Sequence, residues 1–285
     1  MPLDPARLLS LKLPDVERQY TAKDVMLYAL GVGLGHDPID ERQLAFVYEK
    51  NLKVLPTFPV VLGFEPFLLR DIDAGVNFEM SVHGEEHLVL HRPLATSGTI
   101  VARHRILDVI DKGPGRGALL SMERAISDKA SGERLATIRQ TVFCRADGGF
   151  SGDVRPSPPV HPLPDRAPDL ICDLQTRPEM ALIYRLSADV NPLHADPEVA
   201  RAAGFERPIL QGLGTFGVVG HAILRSVCDY DPARLSSIAG RFSAPVYPGD
   251  TIRTEIWRDG DIVSFRARVV ERDAVAISNG RAEVN

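Results

Sequence analysis

The stretch Gly212-Leu-Gly-Thr-Phe-Gly-Val-Val-Gly-His-Ala-Ile-Leu-Arg-Ser-Val227 predicts the fold of the C-terminal half. Its apolar positions recur every three or four residues, which is the spacing of one helix face: Leu213, Phe216, Gly220, Ile223, Leu224 and Val227. Gly214, Gly217 and Gly220 are poor helix formers, and we expect them to let a sheet approach the helix closely. The stretch is therefore predicted to be one long helix packed against a sheet.

The sequence after this helix predicts the sheet. Apolar and polar residues alternate over 252–256 and again over 263–269, as is typical of half-buried strands. Asp259-Gly260 between them is a hairpin-turn dipeptide, and Val275 to Val284 predicts a further strand. One long helix followed by an antiparallel meander gives a sheet that wraps the helix, which is the hotdog arrangement.

The N-terminal half shows the same order in a weaker pattern. A helix is predicted from about Asp24 to Gly31, and a second apolar segment lies near Phe67 to Val76. Strand-like runs follow at 87–95, 98–110, 117–128 and 134–146. We therefore predict an α+β chain that forms a double hotdog, with two helix-wrapped antiparallel sheets. The alternative is an unrelated α+β domain at the N-terminus.

A proline-rich segment separates the two halves. Residues 153 to 169 contain six prolines and few apolar residues, which is typical of an extended, semi-rigid linker. We predict an N-terminal hotdog-like domain at 1–152, a linker at 153–169 and a C-terminal hotdog domain at 170–285.

The C-terminal domain also carries the motif that predicts catalysis, Tyr184-Arg-Leu-Ser-Ala-Asp-Val-Asn-Pro-Leu-His194. An acid, an amide and an imidazole lie within six positions at Asp189, Asn191 and His194. Because Pro192 forces Asn191 into an extended conformation, no helix can pass through this point. Such a loop could hold a water molecule and a proton together. The alternative is a capped turn with a solvated aspartate and histidine.

A short helix is predicted directly after the motif. Asp196-Pro197 has the form of an N-cap followed by a first-turn proline. The helix should run from about Pro197 to Ala203, with Gly204 as its C-terminal stop. The acid and the imidazole thus lie on a loop that is fixed at both ends.

The motif resembles the signature of the MaoC-like and (R)-specific enoyl-CoA hydratase family. The likeness continues in G-F-E-R-P-I-L-Q-G, at 204–212. Further segments resemble the hydratase units of peroxisomal multifunctional enzymes of type 2, in the same order over nearly the whole chain: Y-A-L-G-V-G at 28–33, L-P-T-F at 55–58, H-G-E-E-H at 83–87, L-D-V-I-D-K-G at 107–113, G-G-F-S-G at 148–152 and R-F-S-A-P-V-Y-P-G at 241–249.

The resemblance implies a lyase of fatty acid metabolism that hydrates trans-2-enoyl-CoA to (R)-3-hydroxyacyl-CoA, and that catalyses the reverse dehydration. It implies that Asp189 and His194 share one water molecule at the mouth of an acyl tunnel, that Asn191 orients them, and that the Gly212 amide binds the thioester oxygen. A histidine can be neutral and accept a proton near pH 7. The substrate-binding residues implied in the same way are His83, Gly84, Lys112, Val190, Pro192, Leu193 and Phe242.

Three of these residues keep an alternative interpretation. His83 could be a solvated turn histidine, Lys112 a solvated turn lysine, and Phe242 a core residue rather than a pocket wall. The chain also departs from the family pattern at Ala188 (usually glycine), Gln211 (commonly histidine) and Gly214 (commonly cysteine). A methyl group at 188 would be costly if that position needs a positive φ.

Two competing motifs are weaker. Residues 212–217 satisfy G-x-G-x-x-G, a dinucleotide-binding pattern, but antiparallel-type strands follow where a parallel strand and an acid would be required. Residues 83–87 satisfy H-x-x-E-H, a zinc-protease pattern that needs a helix, and Gly84 and the strand-like Leu88-Val-Leu argue against one. We therefore predict no metal and no cofactor, with CoA present only as part of the substrate.

Composition excludes several other classes. The net charge is −5 with no basic block, so no nucleic-acid partner is expected. No apolar run approaches the roughly 18 residues of a membrane span, and the start of the chain lacks the features of a signal peptide. Three well-separated cysteines favour reduced thiols, and the last residues are not a peroxisomal address. We expect a cytoplasmic protein, and a homodimer is one arrangement that the sequence permits.

Two other functions remain open at this stage. A hotdog acyl-CoA thioesterase would share the fold and the ligand. A degenerate hotdog that only binds acyl-CoA, or assembles with another subunit, would also match. If the chain is a hydratase, its second hotdog unit without the motif favours medium, long or bulky acyl chains.

Overall fold

The computed structural model describes residues 3–72, 74–152 and 154–285. The strands of this part of the chain are β1 Val16–Tyr20, β2 Ser81–Leu90, β3 Gly98–Asp111, β4 Ala118–Asp128, β5 Arg134–Cys144, β6 Leu170–Gln175, β7 Leu235–Phe242, β8 Thr251–Asp259, β9 Ile262–Val269 and β10 Ala274–Val284. The α-helices are α1 Pro5–Ser10, α2 Ala22–Gly31, α3 Glu41–Leu44, α4 Leu68–Asp71, α5 Met180–Tyr184, α6 Pro197–Ala202 and α7 Gly212–Ser226.

All ten strands form one antiparallel sheet in the order β1-β3-β4-β5-β2-β7-β10-β9-β8-β6. Each half of the chain contributes five strands, and the two sets have the same internal order on either side of the β2–β7 junction. At that junction Leu88 pairs with Ile238 and His87 with Ala239. The two predicted sheets are therefore joined edge to edge, so that residues of β2 lie beside elements of the C-terminal half.

Helix α7 begins at the predicted residue and ends one residue before the predicted end. Every residue from Leu213 to Leu224 is buried, and the helix contacts β6, β7 and β8. Strands β8 and β9 are joined at the predicted hairpin, where Gly260 has a φ of +64°. The inward residues of β8, Ile252, Thr254 and Ile256, are fully buried. The hotdog arrangement predicted for this half is thus formed.

The expected reason for the helix glycines is wrong, because none of the atoms nearest to a Cβ at Gly214, Gly217 or Gly220 belongs to a strand. A Cβ on Gly217 would lie 2.5 Å from Cγ1 of Val32, and one on Gly220 would lie 2.5 Å from Cγ2 of Thr57. Both neighbours belong to the N-terminal half, in the segment after α2, and neither lies in a strand. Helical spacing identifies a buried face, but it does not identify what covers that face.

We expect the substitution Gly217→Ala to destabilise the protein. Alanine is the better helix former by about 1 kcal/mol, but its methyl group would overpack against Val32 and Tyr28. The free energy of unfolding in urea should fall by about 1–3 kcal/mol. Gly214→Ala is the matched control, because its nearest neighbour is a flexible Leu210 methyl at 3.3 Å. Equal stability of the two variants would contradict close packing at Gly217.

The N-terminal half departs more from prediction. Strand β2 begins at Ser81 rather than near residue 87, because a register shift between His83 and Glu85 breaks the alternation of its side chains. Strands β1 and β6 were not predicted, and no range was predicted for β7. The predicted helix is present as α2. It follows β1 at one end of the sheet, just as α5 follows β6 at the other end. In chain order α2 therefore corresponds to α5 and not to α7. Between α2 and β2 the described residues form only short helices, including α4 within the second apolar segment.

The proline-rich segment has neither helix nor strand in its described residues. It is nevertheless fastened to the C-terminal sheet. His161 Nε2 lies 2.8 Å from Ser264 Oγ, Asn279 donates to the His161 carbonyl oxygen, and Trp257 donates to the Arg166 carbonyl oxygen. These bonds agree with a semi-rigid linker. Its first predicted residue, Asp153, lies outside the described residues, and the division into domains stays a prediction.

None of the helices in the described part of the chain combines the length and the apolarity that a bilayer crossing requires.

A buried histidine in α7 makes stability depend on pH. His221 is 2% exposed, and burial, with a smaller effect of Arg225, lowers its pKa from 6.5 to about 4. Between these values the unfolded chain binds a proton that the folded chain does not, so stability should fall as the pH falls. We expect a loss of about 2 kcal/mol from this group between pH 7 and pH 5. The measurement is the free energy of unfolding in urea at both pH values, for the wild-type protein and for His221→Gln. If the variant loses as much stability between pH 7 and pH 5 as the wild type, His221 is not the group responsible.

Candidate active site

The loop that carries the predicted motif is formed as the sequence indicates. Asn191 is extended, with φ −53° and ψ 124°, and residues 192–194 form one turn of 3-10 helix. Asp196 caps α6 by accepting from the Glu198 amide at 2.8 Å. Gly204 ends that helix with a φ of +86°. The loop is therefore held by local hydrogen bonds at both ends.

Asp189 and His194 face each other. The Oδ2 atom of Asp189 lies 3.6 Å from Nε2 of His194, and the two side chains are 13% and 8% exposed. The carboxylate is held by the Asn191 amide, which donates to Asp189 Oδ1 at 3.2 Å. The acid and the imidazole are thus brought together, as the motif predicts.

The hydrogen bonding of His194 fixes its tautomer. Nδ1 lies 2.9 Å from the carbonyl oxygen of Ile209, which can only accept a hydrogen bond, so Nδ1 carries the proton. In the neutral ring Nε2 then presents a lone pair toward Asp189. The contribution of Ile209 was not predicted, because a carbonyl 15 residues away leaves no signal in the motif.

Two hydrogen-bond acceptors therefore converge at this point. If a water oxygen lies about 2.8 Å from both Nε2 and Oδ2, the angle Nε2–water oxygen–Oδ2 is roughly 80°, because the two acceptor atoms are 3.6 Å apart. Each O–H bond of that water would deviate from linearity by only about 12°, which is within hydrogen-bonding geometry. The pair is arranged to hold one water molecule by both of its protons.

Asn191 acts on the loop through two contacts. Its backbone amide holds Asp189, and its side-chain oxygen accepts from the Leu193 amide at 3.0 Å. Asn191 therefore fixes Asp189 through its backbone amide, and its role in orienting the pair for catalysis stays a prediction.

Gly212, Phe242 and His83 form a continuous set of contacts across the two halves of the chain. As the first residue of α7, Gly212 has an amide that the helix itself leaves without an acceptor. A Cβ on Gly212 would lie 3.5 Å from the Phe242 ring, and that ring lies 4.8 Å from the imidazole of His83 in an edge arrangement. His83 lies on strand β2 rather than on a turn, so the helix that a zinc-protease site needs is not formed.

Lys112 and Gly84 both lie near Phe143 of β5. The Lys112 ammonium is 5.2 Å from the centre of the Phe143 ring, and a Cβ on Gly84 would lie 3.9 Å from Phe143 Cβ. The turn of Lys112 is fixed by the preceding residue, Asp111, which was not predicted.

Asp111 joins two of the segments that carried the family resemblance. Its carboxylate accepts from the amides of Gly113 and Gly149 at 2.8 and 2.7 Å, and from the amide of Ser151 at 2.8 Å. These hydrogen bonds outweigh the effect of burial and hold the pKa of Asp111 far below its usual range. The turn of Lys112 and the glycine-rich segment at 148–152 therefore form one rigid unit.

Val190, Pro192 and Leu193 lie on the loop of the pair itself. Val190 is 49% exposed, Pro192 is exposed and Leu193 is half-buried. They are more exposed than Asp189 and His194, and their contact with the substrate stays a prediction.

The three departures from the family pattern differ in how well the structure accommodates them. Ala188 is not among the described residues with positive φ, so its methyl group causes no backbone strain there. Gln211 is fully buried and donates to the Ala181 carbonyl oxygen at 3.1 Å, but its Oε1 atom is buried without a hydrogen-bond partner among the described residues. A Cβ on Gly214 would lie 3.5 Å from the Tyr184 ring, which is an ordinary packing distance.

Two cavities lie on the surface away from Asp189 and His194. One, of about 340 Å³, lies between α7 and the segment after α2 and is lined by residues such as His36, Asp40 and His221. The other, of about 520 Å³, is lined by residues such as Arg207, Tyr247 and Arg272. Neither includes Asp189 or His194, so the acyl tunnel beside the pair stays a prediction.

Comparison with known proteins shows the family. Residues 160–280 match the model of the "MaoC like domain", and residues 19–146 match that of the "MFE-2 hydratase 2 N-terminal domain". The chain is 38% identical over 292 residues to the peroxisomal enoyl-CoA hydratase 2 of Arabidopsis thaliana, covering 95% of this chain and 92% of the relative. The chain belongs to the MaoC-like hydratase and dehydratase family.

Solved structures agree with this membership and with the fold prediction. The crystal structure of a MaoC-like dehydratase from Phytophthora capsici superposes with a TM-score of 0.87, at 32% identity, over 99% of this chain and 98% of that one. A Mycobacterium tuberculosis protein described as a double hotdog superposes with a TM-score of 0.56 at 15% identity, over 99% and 98% of the two chains. This MaoC-like chain is therefore a double hotdog, and the alternative of an unrelated N-terminal domain is not supported.

Proposed function

We propose that this chain catalyses the hydration of trans-2-enoyl-CoA to (R)-3-hydroxyacyl-CoA, and the reverse dehydration. The single observation that carries the proposal is the convergence of the His194 Nε2 lone pair and the Asp189 carboxylate, 3.6 Å apart. Membership of the MaoC-like family and the similarity to a relative named enoyl-CoA hydratase 2 support the choice of substrate.

The chemistry follows from the conjugated thioester. Its C3 atom is electrophilic, and attack there moves charge onto the thioester oxygen as an enolate. A water held by both acceptors is oriented for attack, since its protons point toward His194 and Asp189 and its lone pairs point away. One proton passes to this pair and from it to C2, so that the oxygen and the hydrogen add to the same face.

The developing enolate needs a hydrogen-bond donor. The Gly212 amide at the start of α7 is a fixed donor, and the positive end of the helix dipole lies there. Comparable donors contribute on the order of 3 kcal/mol of transition-state stabilisation. The Asn191 amide keeps the acid in place while charge moves through the site.

The remaining predicted residues would bind the acyl-CoA. We propose that Lys112 meets a CoA phosphate and that His83, Gly84 and Phe242 line the path toward Gly212. We propose that no redox cofactor takes part, because water addition to an enoyl thioester changes no oxidation state overall. We also propose that no metal takes part, because His194, Asp189 and the Gly212 amide already supply the groups that the reaction needs. A cytoplasmic location is likewise part of the proposal, although the plant relative is named as peroxisomal.

The thioesterase alternative is distinguished by its product. We expect an enoyl-CoA panel from short to long chains to lose the enoyl absorbance without releasing free thiol, with medium or long chains preferred. Release of thiol at the rate of substrate loss would favour a thioesterase. Binding of every chain length without turnover would favour a non-catalytic acyl-CoA-binding or assembly subunit.

A further inference from the structure

The four-residue segment 209–212 connects the acid–base pair to the start of α7. Its first residue, Ile209, holds the imidazole, because its carbonyl oxygen accepts from His194 Nδ1 at 2.9 Å. Its last residue, Gly212, carries the amide proposed as the enolate donor. Three residues of chain span at most about 11 Å, so this amide lies near the pair. The way in which the segment is held therefore sets the placement of the amide.

The side chain of Gln211 fastens this segment to a second element. It is fully buried, and its Nε2 atom donates to the Ala181 carbonyl oxygen at 3.1 Å. Ala181 lies in α5, whose last residue, Tyr184, is the first residue of the catalytic motif. The segment is thus bonded to the start of the motif through Gln211 and to its end through Ile209. The loop that carries Asp189 lies between these two anchors.

The backbone of Gln211 sets the direction of the Gly212 N–H. The Gln211 carbonyl and the Gly212 N–H belong to one planar peptide unit, in which they point in opposite directions. That carbonyl oxygen accepts from the Thr215 amide at 2.9 Å, and Gln211 itself is extended, with φ −55° and ψ 139°. A shift of Gln211 therefore turns the amide that faces the proposed enolate.

Stability alone does not explain a glutamine at this position. Its Oε1 atom is buried and accepts from none of the described residues. The penalty of an unpaired buried acceptor exceeds the net gain from one neutral hydrogen bond. An apolar side chain of similar size would therefore serve the fold at least as well, and the hydrogen bond to α5 is better explained by what it positions.

We propose that Gln211 is a positioning residue, which fixes the direction of the Gly212 amide relative to the Asp189–His194 pair. It acts through its side-chain hydrogen bond to α5 and through the peptide unit that it shares with Gly212. Because Gln211 is fully buried, it acts on the reaction through Gly212 and not by contact with the substrate. This inference rests on the proposed hydratase function and adds to it the residue that aligns the enolate donor.

The first test is Gln211→Met, which removes the side-chain donor and keeps an unbranched side chain of similar size. We expect kcat for hydration of a medium-chain enoyl-CoA to fall about tenfold, less than the loss of a complete donor would cause, with KM within about twofold. The free energy of unfolding in urea should stay equal or rise. Thr254→Val, at another buried oxygen without a partner in the described part of the chain, is the control and should keep both kcat and stability.

The second test asks whether Gln211 acts through the Gly212 amide. Gly212→Pro removes that N–H at the first position of a helix, where proline is well tolerated, and the extended Gln211 is compatible with a following proline. Gly212→Ala keeps the N–H and is its reference. We expect Gly212→Pro to lower kcat about a hundredfold relative to Gly212→Ala. In the proline background Gln211→Met should cause no further loss, because the group that it positions is gone.

The outcomes separate this inference from the proposed function. An unchanged kcat in Gln211→Met, or a fall in kcat accompanied by a loss of stability, would overturn the positioning role while the hydratase function stands. A further tenfold loss in the proline background would also overturn it. If Gly212→Pro does not fold, the separation of kcat from stability in Gln211→Met decides. If the wild-type chain hydrates no enoyl-CoA, both proposals fail.

Discussion

Asp189→Asn should lower kcat for enoyl-CoA hydration roughly a thousandfold, within the range that loss of a positioned acid–base group produces. The amide keeps the size of the side chain and can still accept from the Asn191 amide. It removes the negative charge, however, and its NH₂ group can donate to His194 Nε2. That contact would occupy the lone pair that the water needs, so the loss should appear mainly in kcat.

The measurement is steady-state hydration of one enoyl-CoA, together with a thermal melt of the variant. Asp196→Asn is the matched control, since Asp196 lies seven residues away and caps α6, and asparagine is an equally good cap. It should retain wild-type activity. An Asp189→Asn protein that melts normally and hydrates at more than a tenth of the wild-type rate would contradict the role of this carboxylate.

His194→Gln should lower kcat for enoyl-CoA hydration by a comparable factor, for a different reason. The glutamine amide can still donate to the Ile209 carbonyl oxygen and so preserve the loop, but it offers no basic nitrogen toward Asp189. The variant should bind substrate with little change in KM while kcat falls by roughly a hundredfold to ten-thousandfold.

His91→Gln serves as the control for this substitution, because His91 is exposed and lies near Thr137 beyond the end of β2. The double variant Asp189→Asn/His194→Gln adds a sharper test. Since both groups are proposed to act on one water, the double loss should be close to that of either single variant. Multiplicative losses would indicate that the two residues act in separate steps.

Much of the C-terminal half could be predicted from sequence because its signals are local. The spacing of apolar residues in α7, the alternation in β8 and β9, and the turn at Gly260 each depend on neighbours within a few residues. The loop around Asn191 and the cap at Asp196 follow equally from adjacent prolines.

What the sequence could not predict depends on contacts between distant segments. The close approach of Val32 and Thr57 to the α7 glycines, and the pairing of β2 with β7, involve residues more than 140 positions apart. Sequence periodicity carries no information on such partners. The start of β2 was misplaced for a related reason, since the register shift at Gly84 becomes visible only against its partner strand.

The residues of the candidate site likewise divide into those with a local sequence signal and those that depend on contacts between distant segments. The motif itself identified Asp189 and His194, and family resemblance supplied His83, Lys112 and Phe242. The carbonyl of Ile209, the carboxylate of Asp111 and the contact of Gln211 with α5 emerged only from the fold. Gln211 was visible in the sequence as a departure from the family pattern, and its identity gave no sign of which element it contacts.

The most direct measurement of the central claim is hydration in deuterium oxide followed by stereochemical analysis of the product. One water shared by Asp189 and His194 should deliver hydroxide to C3 and deuterium to C2 on the same face, giving a single (R)-3-hydroxyacyl-CoA with one configuration at C2. A product of mixed configuration at C3, or deuterium on the face opposite the new hydroxyl, would contradict the account.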